Sequence, residues 1–312
     1  MKIVFLILFF FLFFLSPFAI REKEKASFKI NKPISFSPAA MPLVDPESLP
    51  LRLSAKSFLV LDVDSGSLLV SDNENRALAP ASLTKVITAL VALDSYSLDE
   101  VLTVDFAYPV GRNMGLLPGE KIKVYDLLLG LMIHSANDAA YVLAKNHPQG
   151  IKGFIKAMNL KAKDLGFVRT HLVNFDGEED DDHYTTAFEL AQLSRFLIKN
   201  DFLSQIVQER EVVVSDISGK IQHKLETTNE LLGVIPGAKG LKTGWTSQAG
   251  ECFIGLFEIK DKNGREKTIM TVVLGSNDRF GETSKLVSWV KRNVFWQDYS
   301  ESHSTETAST KP

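Results

Sequence analysis

Residues 80 to 93 read Pro-Ala-Ser-Leu-Thr-Lys-Val-Ile-Thr-Ala-Leu-Val-Ala-Leu, an apolar helical run with Ser82 and Lys85 in its first turn. Positions three residues apart share one face of a helix, which predicts that the hydroxyl and the amine are neighbours. The helix dipole favours a developing serine anion at this end. A buried lysine has a lowered pKa and can accept the serine proton without a histidine. Alone the pattern is weak, because a serine N-cap followed by a solvated lysine has the same spacing.

Two further short motifs follow in order along the chain. Ser-Ala-Asn at residues 135 to 137 falls between two apolar helical segments, and Lys-Thr-Gly at residues 242 to 244 falls on a predicted short strand. Side chains on such a loop can turn into a cleft, and glycine in a strand lets a substrate backbone approach closely. Each motif alone has an ordinary structural explanation. Three motifs in this order are typical of class A β-lactamases and penicillin-binding proteins, in which the second motif has Asp at the middle position that is Ala here.

The composition is that of a globular protein. Of 312 residues, 45% are hydrophobic and 23% are charged, and the net charge is −3. This length allows one large domain or two small ones. No basic stripe predicts nucleic-acid binding, and the six histidines form no metal-binding motif, so we expect no nucleic acid, metal or cofactor. The single cysteine, Cys252, leaves the redox compartment open.

The N-terminus indicates export. Residues 3 to 20 are eighteen apolar or weakly polar residues, seven of them phenylalanine, and charged residues follow at once. As a helix this segment is about 27 Å long, against a hydrocarbon core of about 30 Å. Small residues are poorly placed for signal cleavage, which favours an uncleaved anchor over a cleaved signal peptide, and both stay open. Residues 1–20 are therefore predicted to be a membrane anchor or signal segment.

The rest of the chain divides into three parts. Five of the twelve prolines lie in residues 21–50, which predicts an extended tether. Strands are predicted at both ends of residues 51–298 and helices between them, which indicates an α/β (α+β) domain whose antiparallel sheet is built from both chain ends. Residues 299–312 are polar and predicted to be disordered. The acidic stretch at 178–182 is predicted to be a solvated surface loop.

The motifs lie within longer characteristic stretches. These are residues 80–85, 113–115, 118–121, 135–140, 182–187, 240–250 and 272–275, with Arg279. In these stretches the chain resembles the D-alanyl-D-alanine carboxypeptidases, which are the low-molecular-mass penicillin-binding proteins of serine peptidase family S11. The resemblance extends over roughly residues 52 to 297. The resemblance implies a β-lactamase/transpeptidase-like fold with a helical subdomain. It also implies an acyl-enzyme peptidase that removes the terminal D-alanine from peptidoglycan stem pentapeptides and is acylated by β-lactams.

The resemblance implies a role for each residue of the first two motifs. Ser82 is expected to be the nucleophile and Lys85 its general base. Ser135 is expected to relay the proton to the leaving amine, and Asn137 to hydrogen-bond the peptide amide of the substrate. The same resemblance implies a location in the bacterial cell envelope, outside the cytoplasmic membrane.

The third motif and its flanks are expected to bind the substrate. Lys242 would supply positive charge to the cleft, Thr243 would bind near the terminal carboxylate, and Gly244 would admit the substrate backbone. The backbone N–H groups of the nucleophile and of Trp245 would form the oxyanion hole, worth about 3 kcal/mol for each donor. Trp245 is bulky and is expected to narrow the mouth of the cleft. Arg279 is a further candidate for the substrate carboxylate.

Many members of the family carry a C-terminal β-sandwich domain and a C-terminal membrane helix. This sequence ends about fifteen residues after its predicted closing helix. We therefore expect both to be missing and the N-terminal segment to provide the membrane contact.

Three other functions stay open at this point. One is an endopeptidase of the same family, which would cut cross-links, and another is a catalytically silent sensor of β-lactams or muropeptides. The sensor is disfavoured because every catalytic residue of the family is present. A class A β-lactamase needs a Glu on a loop after the second motif to direct the deacylating water. Residues 160 to 175 contain no Glu, and Glu178 and Glu179 lie in the stretch predicted to be solvated, so this function is also disfavoured.

Overall fold

Five antiparallel strands from both ends of the chain form the central sheet in the computed structural model, which describes residues 40–297. Their order in the sheet is β3-β2-β10-β9-β8, so β8 is an edge strand. The strands are β1 Met41–Val44, β2 Ser57–Asp62, β3 Leu68–Asp72, β4 Val101–Thr103, β5 Lys121–Lys123, β6 Glu211–Ser215, β7 Gln222–Glu226, β8 Ala238–Thr246, β9 Gly250–Lys260, β10 Glu266–Ser276 and β11 Val294–Gln297. The prediction of a sheet built from both chain ends is confirmed.

The described part of the chain also contains seven α-helices. They are α1 Lys85–Ser95, α2 Val124–Leu129, α3 Asn137–Asn146, α4 Gly150–Asp164, α5 Ala187–Leu197, α6 Asp201–Ile206 and α7 Arg279–Asn293. A 3-10 turn, Ala81–Thr84, precedes α1, and a π-helical turn, Gly130–His134, follows α2. The predicted apolar helices are therefore present, but two of them carry an irregular turn beside a motif residue.

The sheet is buried on both faces because its strands direct alternate apolar side chains to opposite sides. In β2, whose six residues are all buried, Leu59 and Leu61 join the core that contains the apolar residues of α1 and α5. Phe58 and Val60 of the same strand join a second core with the apolar face of α7. Helices on both faces leave the free edge of β8 as the place where a cleft can form.

Two small strands change the predicted boundaries. The strand β1 pairs antiparallel with β11, so the prediction of an extended tether as far as residue 50 is wrong for Met41–Val44. The closing helix, predicted from the sequence to run from Glu282 to Trp296, ends at Asn293, and the residues after it form β11. Trp296 in β11 is buried and donates its ring N–H to the Asp62 carboxylate at 2.9 Å, which ties β11 to β2.

The predicted anchor or signal segment at residues 1–20 and the predicted tail at 299–312 lie outside the described residues. Among residues 40–297, no helix is both long enough and apolar enough to cross a membrane.

Candidate active site

Ser82 lies in the 3-10 turn Ala81–Thr84, immediately before α1. Ala81 has a φ of 50°, a left-handed conformation that a non-glycine residue adopts only when its surroundings hold it there. Two contacts do so: the Thr84 hydroxyl donates to the Ala81 carbonyl oxygen at 2.9 Å, and Gly177 packs directly against that oxygen. The turn leaves Ser82 half-buried and pointing into a cleft.

Lys85 is the first residue of α1 and has no exposed surface. Its Nζ donates to the Ser82 hydroxyl oxygen at 2.8 Å and to the backbone carbonyl of Asp176 at 2.7 Å. Burial lowers the pKa of Lys85 to about 8, although the charges of Asp176 and Glu178 oppose the shift. The predicted contact between Ser82 and Lys85 is thus present in a 3-10 turn followed by an α-helix.

The second motif begins where the π-helical turn ends. Ser135 has a φ of 62°, which interrupts the helix and turns the chain into the cleft. Asn137 then starts α3: its backbone N–H donates to the Arg112 carbonyl at 2.7 Å, and its side-chain Nδ2 donates to Glu178 Oε1 at 2.9 Å. Both Ser135 and Asn137 are buried and border the cleft.

Asp138, the next residue, holds the opposite wall in place. Its buried carboxylate accepts hydrogen bonds from the backbone N–H groups of Met114, Gly115 and Leu116, at 2.9 to 3.0 Å. The Asn113 side chain accepts from the Asp138 N–H at 3.0 Å. The loop after Gly111 is therefore fixed to α3 by a carboxylate at the N-terminus of that helix.

The third motif lies on the edge strand β8. Lys242 is 1% exposed and donates to the Thr243 carbonyl at 3.1 Å. Burial lowers the pKa of Lys242 well below its usual range, and the cations Lys85, Arg279 and Arg112 act in the same direction. A Cβ atom on Gly244 would lie 3.0 Å from the Ser82 backbone nitrogen, so β8 runs directly beside the turn Ala81–Thr84.

Two flanking residues complete this side of the cleft. Arg279, at the start of α7, donates from Nη1 to the Gly244 carbonyl at 3.0 Å and so lies beside the third motif. Trp245 follows Gly244, is 62% exposed and borders the cleft.

The structure brings all nine predicted site residues together around one cleft with a volume of about 690 Å³. Seven of them line it, namely Ser82, Ser135, Asn137, Thr243, Gly244, Trp245 and Arg279. The two buried lysines, Lys85 and Lys242, lie beneath the surface, against Ser82 and within β8 respectively. Within residues 40–297, no three His, Cys, Asp or Glu side chains are grouped to hold a metal ion.

Sequence reasoning missed several residues that line the cleft. They are Tyr108, Val110, Gly111, Arg112, Glu178, Glu179, Thr228, Thr246 and Ser247. Tyr108 donates its hydroxyl to the Asp176 carboxylate at 2.9 Å, and its ring stacks on Tyr141 with centroids 5.0 Å apart. The Thr228 hydroxyl hydrogen-bonds the Thr243 hydroxyl. In the sequence, Tyr108 and Arg112 are marked only by the neighbouring Pro109 and Gly111, which indicate a loop.

The acidic stretch is not a solvated surface loop throughout, because this prediction is wrong for Glu178. The Glu178 carboxylate points to Asn137 in the cleft and is half-buried. The Glu179 carboxylate is exposed but accepts from the Ser247 hydroxyl at 2.7 Å and from the Gln248 N–H at 2.8 Å. The acidic stretch therefore borders the cleft and is bonded to the turn between β8 and β9.

His183 packs behind the turn Ala81–Thr84 and contacts it through Thr84. It is buried, its Nδ1 accepts from the Val173 N–H at 3.2 Å, and its Nε2 lies 2.8 Å from the Thr84 hydroxyl oxygen. This arrangement assigns the proton to Nε2 and leaves the Thr84 hydroxyl free to donate to Ala81. Because burial lowers the pKa of His183 to about 4, the imidazole is neutral at neutral pH and acts here as a fixed donor.

Comparison with known proteins identifies the relatives of this chain. The sequence profile of peptidase family S11, described as D-alanyl-D-alanine carboxypeptidase, matches residues 44–278. The chain is 32% identical over 267 residues to D-alanyl-D-alanine carboxypeptidase DacF of Bacillus subtilis. The aligned region covers 82% of this chain and 67% of DacF. It is also 32% identical over 253 residues to D-alanyl-D-alanine endopeptidase of Pseudomonas aeruginosa. That aligned region covers 78% of this chain and 80% of the endopeptidase.

A solved structure agrees with the sequence matches. Penicillin-binding protein D2 from Listeria monocytogenes, in its ampicillin-bound form, superposes with a TM-score of 0.67 at 32% identity. The superposition covers 78% of this chain and 99% of the Listeria chain. The predicted family and the predicted β-lactamase/transpeptidase-like fold are confirmed.

We predict that Gly177→Ala slows acylation of Ser82 by a labelled penicillin at least about tenfold, because the new methyl group would collide with the Ala81 carbonyl and displace the turn Ala81–Thr84. Gly166→Ala is the matched control. Both glycines have a positive φ, 89° and 80°, but nothing lies within 4 Å of a Cβ atom at Gly166. Equal acylation rates in the two variants would show that Gly177 does not hold the turn.

Proposed function

Because the chain belongs to the D-alanyl-D-alanine carboxypeptidase family of serine peptidases, we propose that it removes the terminal D-alanine from peptidoglycan stem pentapeptides through an acyl-enzyme. The observation that carries this proposal is the contact between the Ser82 hydroxyl and the fully buried Lys85 amine at 2.8 Å. A serine beside an amine whose pKa is about 8 has a base available at neutral pH.

Acylation starts when Ser82 Oγ attacks the carbonyl carbon of the penultimate D-alanine. The unprotonated Lys85 amine accepts the hydroxyl proton as the new C–O bond forms. The Asp176 carbonyl holds the amine at 2.7 Å, so its lone pair stays directed at Ser82. The backbone N–H groups of Ser82 and Trp245 stabilise the tetrahedral oxyanion.

Collapse of the tetrahedral intermediate breaks the C–N bond of the substrate. The proton taken from Ser82 passes by way of Ser135 to the leaving nitrogen, and D-alanine departs as a neutral amine. A water molecule then attacks the ester carbonyl, the C–O bond to Ser82 breaks, and Ser82 Oγ regains a proton. The products are D-alanine and a stem peptide shortened by one residue.

Substrate orientation follows from the positions of the cleft residues. The terminal carboxylate lies beside Thr243, near the cations Lys242 and Arg279, and Arg279 already reaches the β8 backbone at Gly244. Asn137 hydrogen-bonds the peptide amide on the acyl side of the scissile bond. The stem peptide thus runs from β8 toward the N-terminus of α3.

A β-lactam is a second acylating agent for the same serine. Its four-membered ring presents a strained carbonyl carbon and a carboxylate, and the Listeria relative was solved with ampicillin bound. The ring-opened drug stays covalently attached, so hydrolysis of its ester becomes the slow step. We therefore propose that β-lactams inhibit this enzyme by acylating Ser82.

The protein belongs to a family of bacterial cell-wall enzymes, and its substrate lies in the cell envelope. We propose that residues 1–20 hold it at the cytoplasmic membrane and that the residues before Met41 act as a spacer. Intact-mass and N-terminal peptide analysis of protein isolated from bacterial membranes tests this. A chain that begins at Met1 supports an anchor, whereas a chain that begins after residue 16 contradicts it and indicates signal cleavage.

We predict that incubation with a labelled penicillin leaves one covalent adduct on Ser82, and that Ser82→Ala removes it. The same protein should release D-alanine from a stem pentapeptide. Mass spectrometry of the labelled peptide and a D-alanine assay make the two measurements.

The products discriminate between the candidate functions. An adduct without release of D-alanine would indicate a sensor, and cleavage of cross-linked dimers alone would indicate an endopeptidase, as in the Pseudomonas relative. Rapid hydrolysis of penicillin would indicate a β-lactamase. Each of these outcomes contradicts the carboxypeptidase proposal.

We predict that the rate constant of Ser82 acylation rises about tenfold per pH unit between pH 5 and 7 and levels above about pH 8. The pKa of Lys85 is about 8, so its unprotonated fraction grows by that factor over this range. Lys85→Arg stays protonated at every pH in the assay, and acylation should fall at least about a hundredfold. A rate that is flat from pH 6 to pH 8 would contradict Lys85 as the base.

A further inference from the structure

Glu178 introduces a negative charge into the acyl side of the cleft. Its Oε1 accepts from Asn137 Nδ2 at 2.9 Å, so the carboxylate lies beside the residue assigned to the peptide amide of the substrate. Its charge also acts on Lys85 and Tyr108, whose pKa values it raises. Glu178 is therefore within the electrostatic field of the reacting groups as well as on the cleft wall.

The carboxylate has capacity for a further partner. A carboxylate offers about four lone-pair positions, and the described residues give Glu178 one side-chain hydrogen bond, from Asn137. No lysine, arginine or histidine between residues 40 and 297 forms an ion pair with it, although Arg112 also lines the cleft. A half-buried carboxylate without a cation is stabilised when a ligand supplies one.

The backbone around Glu178 holds this charge in a fixed position. Asn174 Nδ2 donates to the Glu178 carbonyl at 2.9 Å, and the Gly177 N–H donates to Asn174 Oδ1 at 2.8 Å. On the other side, Glu179 is bonded to Ser247 and Gln248. A carboxylate held in this way is preorganised for a ligand and loses little conformational entropy on binding.

The two ends of the cleft thus carry opposite charges. The Arg279 guanidinium lies at the end assigned to the substrate carboxylate, and Glu178 lies at the Asn137 end. A stem peptide that places its terminal carboxylate near Thr243 places the residue before D-Ala-D-Ala near Asn137. The side chain of that residue is the part of the substrate that Glu178 can reach.

We propose that Glu178 is a specificity-determining residue that selects stem peptides carrying a side-chain ammonium group on the residue before D-Ala-D-Ala. This inference rests on the proposed function, because it uses the direction in which the stem peptide lies in the cleft. The ammonium group donates to the free Glu178 carboxylate oxygen, while Asn137 keeps its own hydrogen bond to Oε1.

The experiment compares two peptides that differ in one acetyl group. Both are Nα-acetyl-L-Lys-D-Ala-D-Ala, one with a free side-chain amine and one with that amine acetylated. For the unmodified enzyme we expect kcat/KM for D-alanine release to be about three- to tenfold higher with the free amine, the range for a partly exposed ion pair. Raising the salt concentration should reduce this ratio.

The variant Glu178→Gln keeps the side chain's size and its acceptor oxygen for Asn137 but removes the charge. We expect it to bring the ratio of the two kcat/KM values close to one, mainly by slowing the free-amine peptide. Glu178→Lys should reverse the preference. The matched control is Asp182→Asn, which removes the same charge from an exposed position of the same acidic stretch and should leave the ratio unchanged.

Other outcomes overturn the proposal. If Glu178→Gln slows both peptides equally, Glu178 positions Asn137 and does not select the substrate. If the variant is acylated normally by penicillin but releases the adduct more slowly, Glu178 acts on the deacylating water instead. If the unmodified enzyme releases D-alanine from both peptides at equal rates, the selectivity proposed for Glu178 is wrong, whereas the proposed function still holds. Failure to release D-alanine from either peptide contradicts the proposed function, and the selectivity with it.

Discussion

The burial of the Lys85 amine between the Ser82 hydroxyl and the Asp176 carbonyl is the constraint on which the site depends. A solvated lysine holds its proton at neutral pH and cannot act as a base. With no exposed surface, Lys85 loses enough hydration for its pKa to fall to about 8, while the nearby charges of Asp176 and Glu178 limit the fall. In the proposed mechanism, the core under α1 and the loop that carries Asp176 therefore both serve the base, because each excludes water from the amine.

One short segment, residues 174 to 178, connects the three parts of this device. The Asp176 carbonyl holds Lys85, Gly177 supports the strained turn at Ala81, and Glu178 contacts Asn137 of the second motif. The segment approaches Ala81 so closely that only glycine fits at position 177. Ser82, Lys85 and Asn137 thus share one backbone support, and a displacement of that support would affect all three together.

The sequence was sufficient for the motif residues and insufficient for the groups that support them. Ser82, Lys85, Asn137 and Lys242 could be predicted because short spacing and order along the chain carry the signal. The role of Asp176 could not, because a backbone carbonyl leaves no mark on the sequence. Glu178 was misassigned because a run of acidic residues is usually solvated, and only long-range folding shows that one of them turns into the cleft. The strands β1 and β11 were missed for a related reason, since their pairing joins residues about 250 positions apart.

The two buried lysines also disfavour each other's protonation. Lys242 is 1% exposed, and the charge of Lys85 is among the causes that lower its pKa. Coulombic repulsion is mutual, so a proton on Lys242 disfavours a proton on Lys85. A substrate carboxylate bound beside Thr243 would stabilise the charged form of Lys242. The charged Lys242 would in turn hold Lys85 in the neutral form that accepts the Ser82 proton. A ligand without that carboxylate would lack this effect. In the proposed mechanism, recognition of the free C-terminus and activation of Ser82 would therefore be coupled through the two amines.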